Sequence, residues 1–356
     1  QITEGIIWRQ LLLFFFPILL GTFFQQLYNT IDSVIVGQFV GKEALAAVGG
    51  SSAQIVAFVV GFFTGLSSGA SVTIAQFFGA KDSRSANKGL HTAYAIAAFG
   101  GLILTVSGII LTPFLLEMMN TPADIVADSA VYLRIYFAGI IFVLIYNMGS
   151  AILRATGDSK RPLYYLIVCC IINIVLDVLF VIVFHMGVMG VAVATLIAQA
   201  VSAVLVTLKL MRSGGILKLS VKQIRFHGSI LKMQLKLGLP TGFEAILFSI
   251  TNIAIQSAVN TFGTDTTAAW SAYGKLDAIF WMVSTAFGIA ITTFVGQNYG
   301  AGKMDRVRKS TRVCLLMDFI VSAVLVVFLI AARFLLFRLF TNDSHVIEIG
   351  CDMLVL

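Results

Sequence analysis

The chain is a series of long apolar runs separated by short segments rich in polar and charged residues. Most runs have about 20 residues or more, the length that an α-helix needs to cross roughly 30 Å of hydrocarbon. They lack the strict polar and apolar alternation of transmembrane β-strands. The runs predict ten spans, at 11–40, 44–79, 90–116, 125–150, 162–185, 187–211, 232–262, 266–299, 310–340 and from about 345. The pattern therefore predicts an all-α polytopic membrane protein.

Composition agrees with lipid as the main solvent. Hydrophobic residues make up 58% of the 356 and charged residues only 12%, whereas soluble domains carry roughly 25% charged residues. The first apolar run is too long for a cleavable signal peptide, and the chain starts at Gln1, which indicates a trimmed N-terminus. The four cysteines lie in apolar segments without metal-ligand spacing, so we expect small core residues: Cys169, Cys170, Cys314 and Cys351.

The net charge of +7 follows membrane topology. Eighteen of the 24 Lys and Arg residues fall in the loops after spans two, four, six and eight or in the adjoining turns of the spans that these loops connect. The positive-inside rule places these loops, and with them the N-terminus, in the cytoplasm. The basic balance is therefore a topological signal, and no nucleic-acid partner is expected.

The sequence repeats itself over a whole helical half. Residues 76–80 (QFFGA) align with residues 297–301 (QNYGA) at an offset of 221, and Pro17 aligns with Pro240 at an offset of 223. Because spans one and seven start on the same side, the halves form a parallel repeat, as in some secondary transporters. The repeat predicts a six-helix lobe at 1–213, a basic cytoplasmic linker at 214–230 and an incomplete second lobe at 231–356.

Two expectations follow from the length of the second copy and from the linker. The second copy ends after three full spans and a partial tenth, so about two and a half further spans are expected in the intact protein. The alternative is a natural ten-span protein. Residues 217–227 alternate apolar and basic positions and read either as an amphipathic strip on the inner leaflet or as a solvated loop.

Two carboxylates lie inside apolar runs, where a charge is costly and marks an ion or substrate path. Asp32 lies in span one, and Asp177 lies in span five with Asn173 one turn before it. Helix rise places Asp177 roughly 22 Å from the inner edge and Thr195 of span six roughly 18 Å from it. These four groups are expected to meet in the outer half of the first lobe. Their oxygens suit Na⁺, and the paired carboxylates equally suit a proton; the alternative is a polar plug that locks helices together.

Further polar positions extend this picture. Gln25 and Asn29 share a helical face with Asp32 and are candidates for lining a cavity. In the second lobe, Glu244 is a candidate for a second site or for an interfacial side chain, and Asn252 and Gln256 continue its polar stripe. Pro17 lies inside span one, where its ring and missing N–H can kink the helix.

Several motifs together resemble the multidrug and toxic compound extrusion (MATE) transporters of bacteria. They are Pro17 followed by residues 28–37 (YNTIDSVIVG), 152–158 (ILRATGD), 173–177 (NIVLD), 238–240 (GLP) with Glu244, and 296–301 (GQNYGA). The resemblance implies twelve helices in two lobes that form a V, with helices eleven, twelve and part of ten absent here. It also implies export of cationic and amphipathic compounds in exchange for H⁺ or Na⁺.

The resemblance carries individual roles to matching positions. Asp32, Asn173, Asp177 and Thr195 match the first-lobe cation site, and Pro17 matches a proline proposed to bend helix one. Glu244 matches an acidic residue of helix seven that is linked to coupling in some members; no acidic partner for it is identifiable in the sequence.

The resulting hypothesis is a secondary antiporter, monomeric and multi-pass in the bacterial cytoplasmic membrane, with no cofactor beyond its coupling ion. Its partners are the bilayer and small cationic or amphipathic substrates. The alternative is a lipid-linked saccharide flippase, which would place several Lys or Arg residues in the central cavity. An enzyme is disfavoured because no His pair, metal-ligand cluster or Ser/His/Asp set occurs at membrane depth.

Overall fold

A computed structural model describes residues 2–214, 217–338 and 343–355, apart from the side chains of residues 260 and 264. Over these ranges the chain is helical and contains no strand. The helices are α1 (Ile7–Ile35), α2 (Lys42–Gly49), α3 (Ser51–Gly79), α4 (Ser83–Met118), α5 (Val126–Ala155), α6 (Lys160–Asp177), α7 (Gly187–Met211), α8 (Gly228–Asn260), α9 (Thr264–Gly300), α10 (Met304–Ala331), α11 (Arg333–Arg338) and α12 (Ser344–Val355).

The helices confirm the membrane-spanning character of the chain and correct two predicted boundaries. In the described part of the chain, nine segments are long and apolar enough to cross a membrane, and they match the first nine predicted spans. The predicted span over 44–79 is confirmed at Lys42–Gly79, but it is not one continuous helix, because the backbone leaves the helical region at Gly50 (φ −84°, ψ −122°) and separates α2 from α3. The predicted helix over 310–340 is also interrupted, because α10 ends at Ala331 and α11 begins at Arg333. All four cysteines are buried with free thiols, as predicted.

Two spans continue beyond their α-helices as π-helical segments. α1 passes into a π-helix at Val36–Val40, and α6 passes into one at Val178–Val183. The two π-helical segments contact each other. π-helical turns are rare and often lie at functional sites, and here each begins within a turn of a membrane-embedded aspartate.

The two copies of the sequence repeat meet at a reciprocal crossing of α3 and α9. A Cβ atom built on Gly79 would lie 1.9 Å from the carbonyl oxygen of Gln297, and one built on Gly300 would lie 1.9 Å from that of Gln76. The glycine of each copy therefore contacts the glutamine of the other copy, and the two contacts are equivalent, as at an approximate two-fold axis. Only glycine permits this backbone approach.

A second glycine contact joins α3 to α8. Gly65 faces Gly242, and Gly69 faces Gly238, each so closely that a Cβ would lie under 3.0 Å from the facing backbone. On each helix the two glycines are four residues apart, which is the small-residue pattern that brings membrane helices together. Beyond Gly242, the described side chains of α8 are exposed or half-buried. The halves therefore separate beyond this contact and form a V.

Loops with basic residues gather at the end of the molecule away from the opening of the V. We call this the basic end, and its described segments are 80–82, 156–159, 212–214, 217–227 and 301–303. There the Gln297 Nε2 donates to the Ala155 carbonyl at 2.7 Å. The linker residues 217–227 contain a single 3₁₀ turn at Val221–Gln223. They pack along α4 with Leu217 and Leu219 buried, so the segment is neither a freely solvated loop nor a continuous amphipathic helix.

Candidate functional site

The structure brings the four predicted first-lobe side chains together. Asp32, Asn173, Asp177 and Thr195 are exposed by only 8%, 1%, 0% and 7%. The Asn173 Nδ2 donates to Thr195 Oγ1 at 3.5 Å. The Asp32 carboxyl group lies next to the Asp177 carboxyl group and the Thr195 hydroxyl. The two carboxyl groups thus form one buried polar cluster.

Several acceptor atoms of this cluster have no donor. Among the described residues, no group donates to Asp32 Oδ1, Asn173 Oδ1 or either carboxyl oxygen of Asp177. Two carboxyl groups that face each other form a hydrogen bond only if a proton is shared between them. A buried acceptor without a donor costs roughly 1–3 kcal/mol, and more if it is charged. Acceptor oxygens in this arrangement have the chemistry that a proton or a small cation with hard oxygen ligands requires.

The π-helical segments position the carboxylates. Asp177 is the last residue of α6, and the Val36 N–H at the end of α1 is shared between the carbonyls of Asp32 and Ser33. The π-helical turns that follow are wider than α-helical turns, and they lie where the two spans contact each other. The apolar pattern does not reveal these turns, because the side chains remain hydrophobic through them.

Tyrosines surround the cluster, and the sequence reasoning missed their contribution. The Gln199 Nε2 donates to the Tyr28 hydroxyl at 3.3 Å. Tyr132 and Tyr136 stack with ring centroids 6.2 Å apart, and Tyr132 interacts electrostatically with both aspartates. The available signal was spacing, since Tyr28 precedes Asp32 by one turn and the two α5 tyrosines lie four residues apart.

The remaining predicted first-lobe residues lie outside this cluster. Gln25 and Asn29 are exposed on α1. The Asn29 carbonyl accepts from Ser33 Oγ at 3.0 Å. Pro17 is half-buried inside an uninterrupted α1. A helix-bending role for Pro17 and a cavity-lining role for the two amides stay predictions.

The second-lobe candidates do not gather into a comparable site. Glu244 and Asn252 are exposed on α8, and Gln256 is half-buried there. Sequence reasoning overlooked Asp318 of α10, whose Oδ1 accepts from Ser284 Oγ at 3.5 Å. A coupling role for Glu244 stays a prediction.

Comparison with known proteins identifies relatives across the whole chain. The MatE family model matches residues 17–179 and 240–355. "Probable multidrug resistance protein YoeA" of Bacillus subtilis is 30% identical over 98% of this chain and 77% of its own length. "Probable multidrug resistance protein NorM" of Thermotoga maritima is 28% identical over 92% of this chain and 70% of its own length.

Solved structures show the same fold. An outward-facing conformation of a multidrug resistance MATE family transporter superposes with a TM-score of 0.92 at 24% identity, over 99% of this chain and 79% of that one. A transporter of the same superfamily from Pyrococcus furiosus, described as having a binding pocket of reversed polarity, superposes with a TM-score of 0.90 at 24% identity, over 99% of this chain and 78% of that one.

Proposed function

The chain belongs to the MATE family of membrane transporters, and from this premise we propose that it exports cationic or amphipathic compounds in exchange for H⁺ or Na⁺. It is a multi-pass membrane protein and, as a member of this family, a multidrug efflux transporter and not an enzyme. The coupling ion and the class of substrate are parts of the proposal.

The observation that carries the proposal is the set of buried oxygens without donors around Asp32 and Asp177. An ion that enters from the outer side binds there and neutralises the pair. Ion and drug exchange because each has a different affinity for the two orientations of the transporter. The ion favours the drug-free state, and loss of the ion returns the carboxylates to a charged state that favours cation uptake from the cytoplasm.

The first lobe also contains the proposed mechanical element. Pro17 removes one backbone hydrogen bond of α1, so this helix bends more easily than its neighbours. Since Asp32 lies on the same helix, a change in its charge is coupled to the shape of α1. We assign Pro17 the role of the hinge in this step.

The polarity of the buried groups supports cation export over the flippase alternative. Among the described residues, the buried Asp, Glu, Lys and Arg side chains at the depth of this cluster are Asp32 and Asp177, whereas the largely shielded Arg154 lies in the last turn of α5, at the basic end. A site that holds a lipid-linked pyrophosphate needs basic groups at that depth. We further propose a monomer in the cytoplasmic membrane with the basic end, and therefore the N-terminus, facing the cytoplasm.

The test is ethidium efflux in everted vesicles that contain the protein, driven separately by a pH gradient and by a Na⁺ gradient. We expect one gradient to drive efflux and Asp32→Asn to reduce it by at least tenfold, because the neutral amide cannot exchange the ion. Asp128→Asn is the matched control, since Asp128 is an exposed acid on α5.

Equal efflux in wild type and Asp32→Asn, with both proteins inserted to the same level, contradicts the assigned coupling site. Efflux driven by neither gradient contradicts antiport itself. Asp177→Asn provides an independent second variant, and we expect the same loss because the two carboxyl groups form one cluster.

A further inference from the structure

A cleft at the basic end is separate from the proposed ion site. It has a volume of about 920 Å³ and lies between the start of α4 and the linker. Its lining contains six basic or imidazole side chains and no carboxylate among the described residues. The lining residues are Ser83, Arg84, Asn87, Lys88, His91, Lys222, Gln223, Arg225 and His227.

The cationic groups of this cleft form no close ion pair among the described residues, although Arg84 interacts electrostatically with the exposed Asp82 carboxylate just before α4. His227 also senses the positive charge of the cleft. Its pKa is lowered by partial burial and by the nearby charges of Arg225 and Lys88. Like charges held close together repel each other, so a bound anion would stabilise this arrangement.

Hydrogen bonds hold the linker in place and give the cleft a defined shape. The His91 Nδ1 donates to the Asn87 carbonyl at 2.8 Å, which leaves Nε2 to accept from the Ser220 N–H at 3.0 Å. The His227 N–H donates to Thr92 Oγ1 at 3.3 Å, and its Nδ1 lies 3.1 Å from the same hydroxyl. Buried His91 therefore connects the linker to α4, and both walls of the cleft are held in place.

The cleft lies at the depth of lipid headgroups. α4 has 36 residues and is about 54 Å long, whereas the hydrocarbon core is only about 30 Å thick. Its first turns therefore extend beyond the hydrocarbon at the basic end. Beside the charges, Phe226 is 46% exposed and contacts the ring of Phe99 edge-on at 6.0 Å, and Val221 is 61% exposed. The cleft thus combines a cationic interior with an apolar edge next to the acyl chains.

We propose that this cleft binds the phosphate of an anionic phospholipid from the cytoplasmic leaflet, with Arg84, Lys88, Lys222 and Arg225 around the phosphate and Phe226 against the acyl chain. A soluble phosphate would use the same charges but not the apolar edge. Basic pockets of this kind on the cytoplasmic side of membrane proteins recognise anionic headgroups. The bound lipid would join the linker to α4, independently of which ion or drug the protein transports.

The test measures binding of phosphatidylglycerol and phosphatidylcholine to the purified chain in detergent by native mass spectrometry, with inorganic phosphate and glycerol phosphate as soluble probes. Arg84→Gln/Arg225→Gln removes two charges from the cleft. Arg308→Gln/Arg312→Gln is the matched control, since these are two exposed arginines of α10 near the same end.

We expect the wild type and the control to prefer phosphatidylglycerol, and the cleft variant to bind it at least tenfold more weakly. An equal loss in both variants overturns the proposal, because it indicates a general effect of surface charge. Binding of the soluble phosphates as tight as that of phosphatidylglycerol overturns the lipid assignment. If the cleft variant fails to fold in detergent, Lys88→Gln/Lys222→Gln replaces it with the same expectations.

Discussion

The reciprocal crossing of α3 and α9 allows a sharp test of the fold. Gly79→Ala and Gly300→Ala each place a Cβ 1.9 Å from a facing carbonyl oxygen, whereas ordinary van der Waals contact begins at 3.4 Å. One helix must therefore move by about 1.5 Å. Because the obstacle is backbone, no side chain can rotate to relieve the clash.

The expected cost follows from two contributions. Overpacking of a well-packed contact costs about 1–3 kcal/mol. The movement also strains the buried hydrogen bond from Gln297 to the Ala155 carbonyl, which contributes about 1 kcal/mol. At about 2 °C per kcal/mol for a chain of this size, each variant should lower the melting temperature by about 4–8 °C.

The assay is thermal unfolding in detergent, with Gly288→Ala as the matched control. Gly288 lies inside the same helix α9 and has no atom near its Cβ position, so alanine there should be neutral or stabilise by up to about 1 kcal/mol. The double variant Gly79→Ala/Gly300→Ala should cost less than the sum of the single variants, because one displacement relieves both clashes. Melting temperatures of both single variants within 1 °C of wild type would refute the crossing.

Two further predictions concern the basic end. Arg306 donates to the carbonyls of Ile2, Glu4 and Gly5, so Arg306→Ala should raise amide exchange of residues 2–10 by about tenfold or more, whereas Arg308→Ala, an exposed neighbour, should leave it unchanged. Because folding lowers the pKa of His227, its contribution to stability is complete above the ordinary value of about 6.5 and is lost as the pH falls through the lowered value. The melting temperature of wild type should therefore fall relative to that of His227→Gln between pH 7.5 and 5.5; a constant difference contradicts the shift.

The sequence predicted the elements well because membrane spans depend on local chemistry. A run of apolar residues must form a helix in lipid, where no water satisfies the backbone. The same reasoning singled out Asp32 and Asp177, because an acid in such a run stands out against its neighbours. Helix rise then placed Asp177 and Thr195 at similar depth, with Asn173 one turn before Asp177, and the structure brings all four side chains together.

The sequence did not reveal features that depend on backbone geometry. The break at Gly50 and the π-helical turns after α1 and α6 leave the apolar pattern intact, so periodicity cannot detect them. Tyr132 was overlooked for a related reason: an aromatic residue in a span is as often in contact with lipid as with a polar site. The fold of residues 217–227 was equally hidden, since its partners on α4 are more than 100 residues away in sequence.

The sequence alone determined the helical class, the first nine spans, the family and the acids placed at membrane depth, because each follows from residue type and spacing. Only the tertiary structure decided which glycines serve as helix contacts and which polar oxygens lack donors. It also decided that the linker encloses a cationic cleft. Those properties belong to pairs of atoms from distant parts of the chain, and their distances are set by packing.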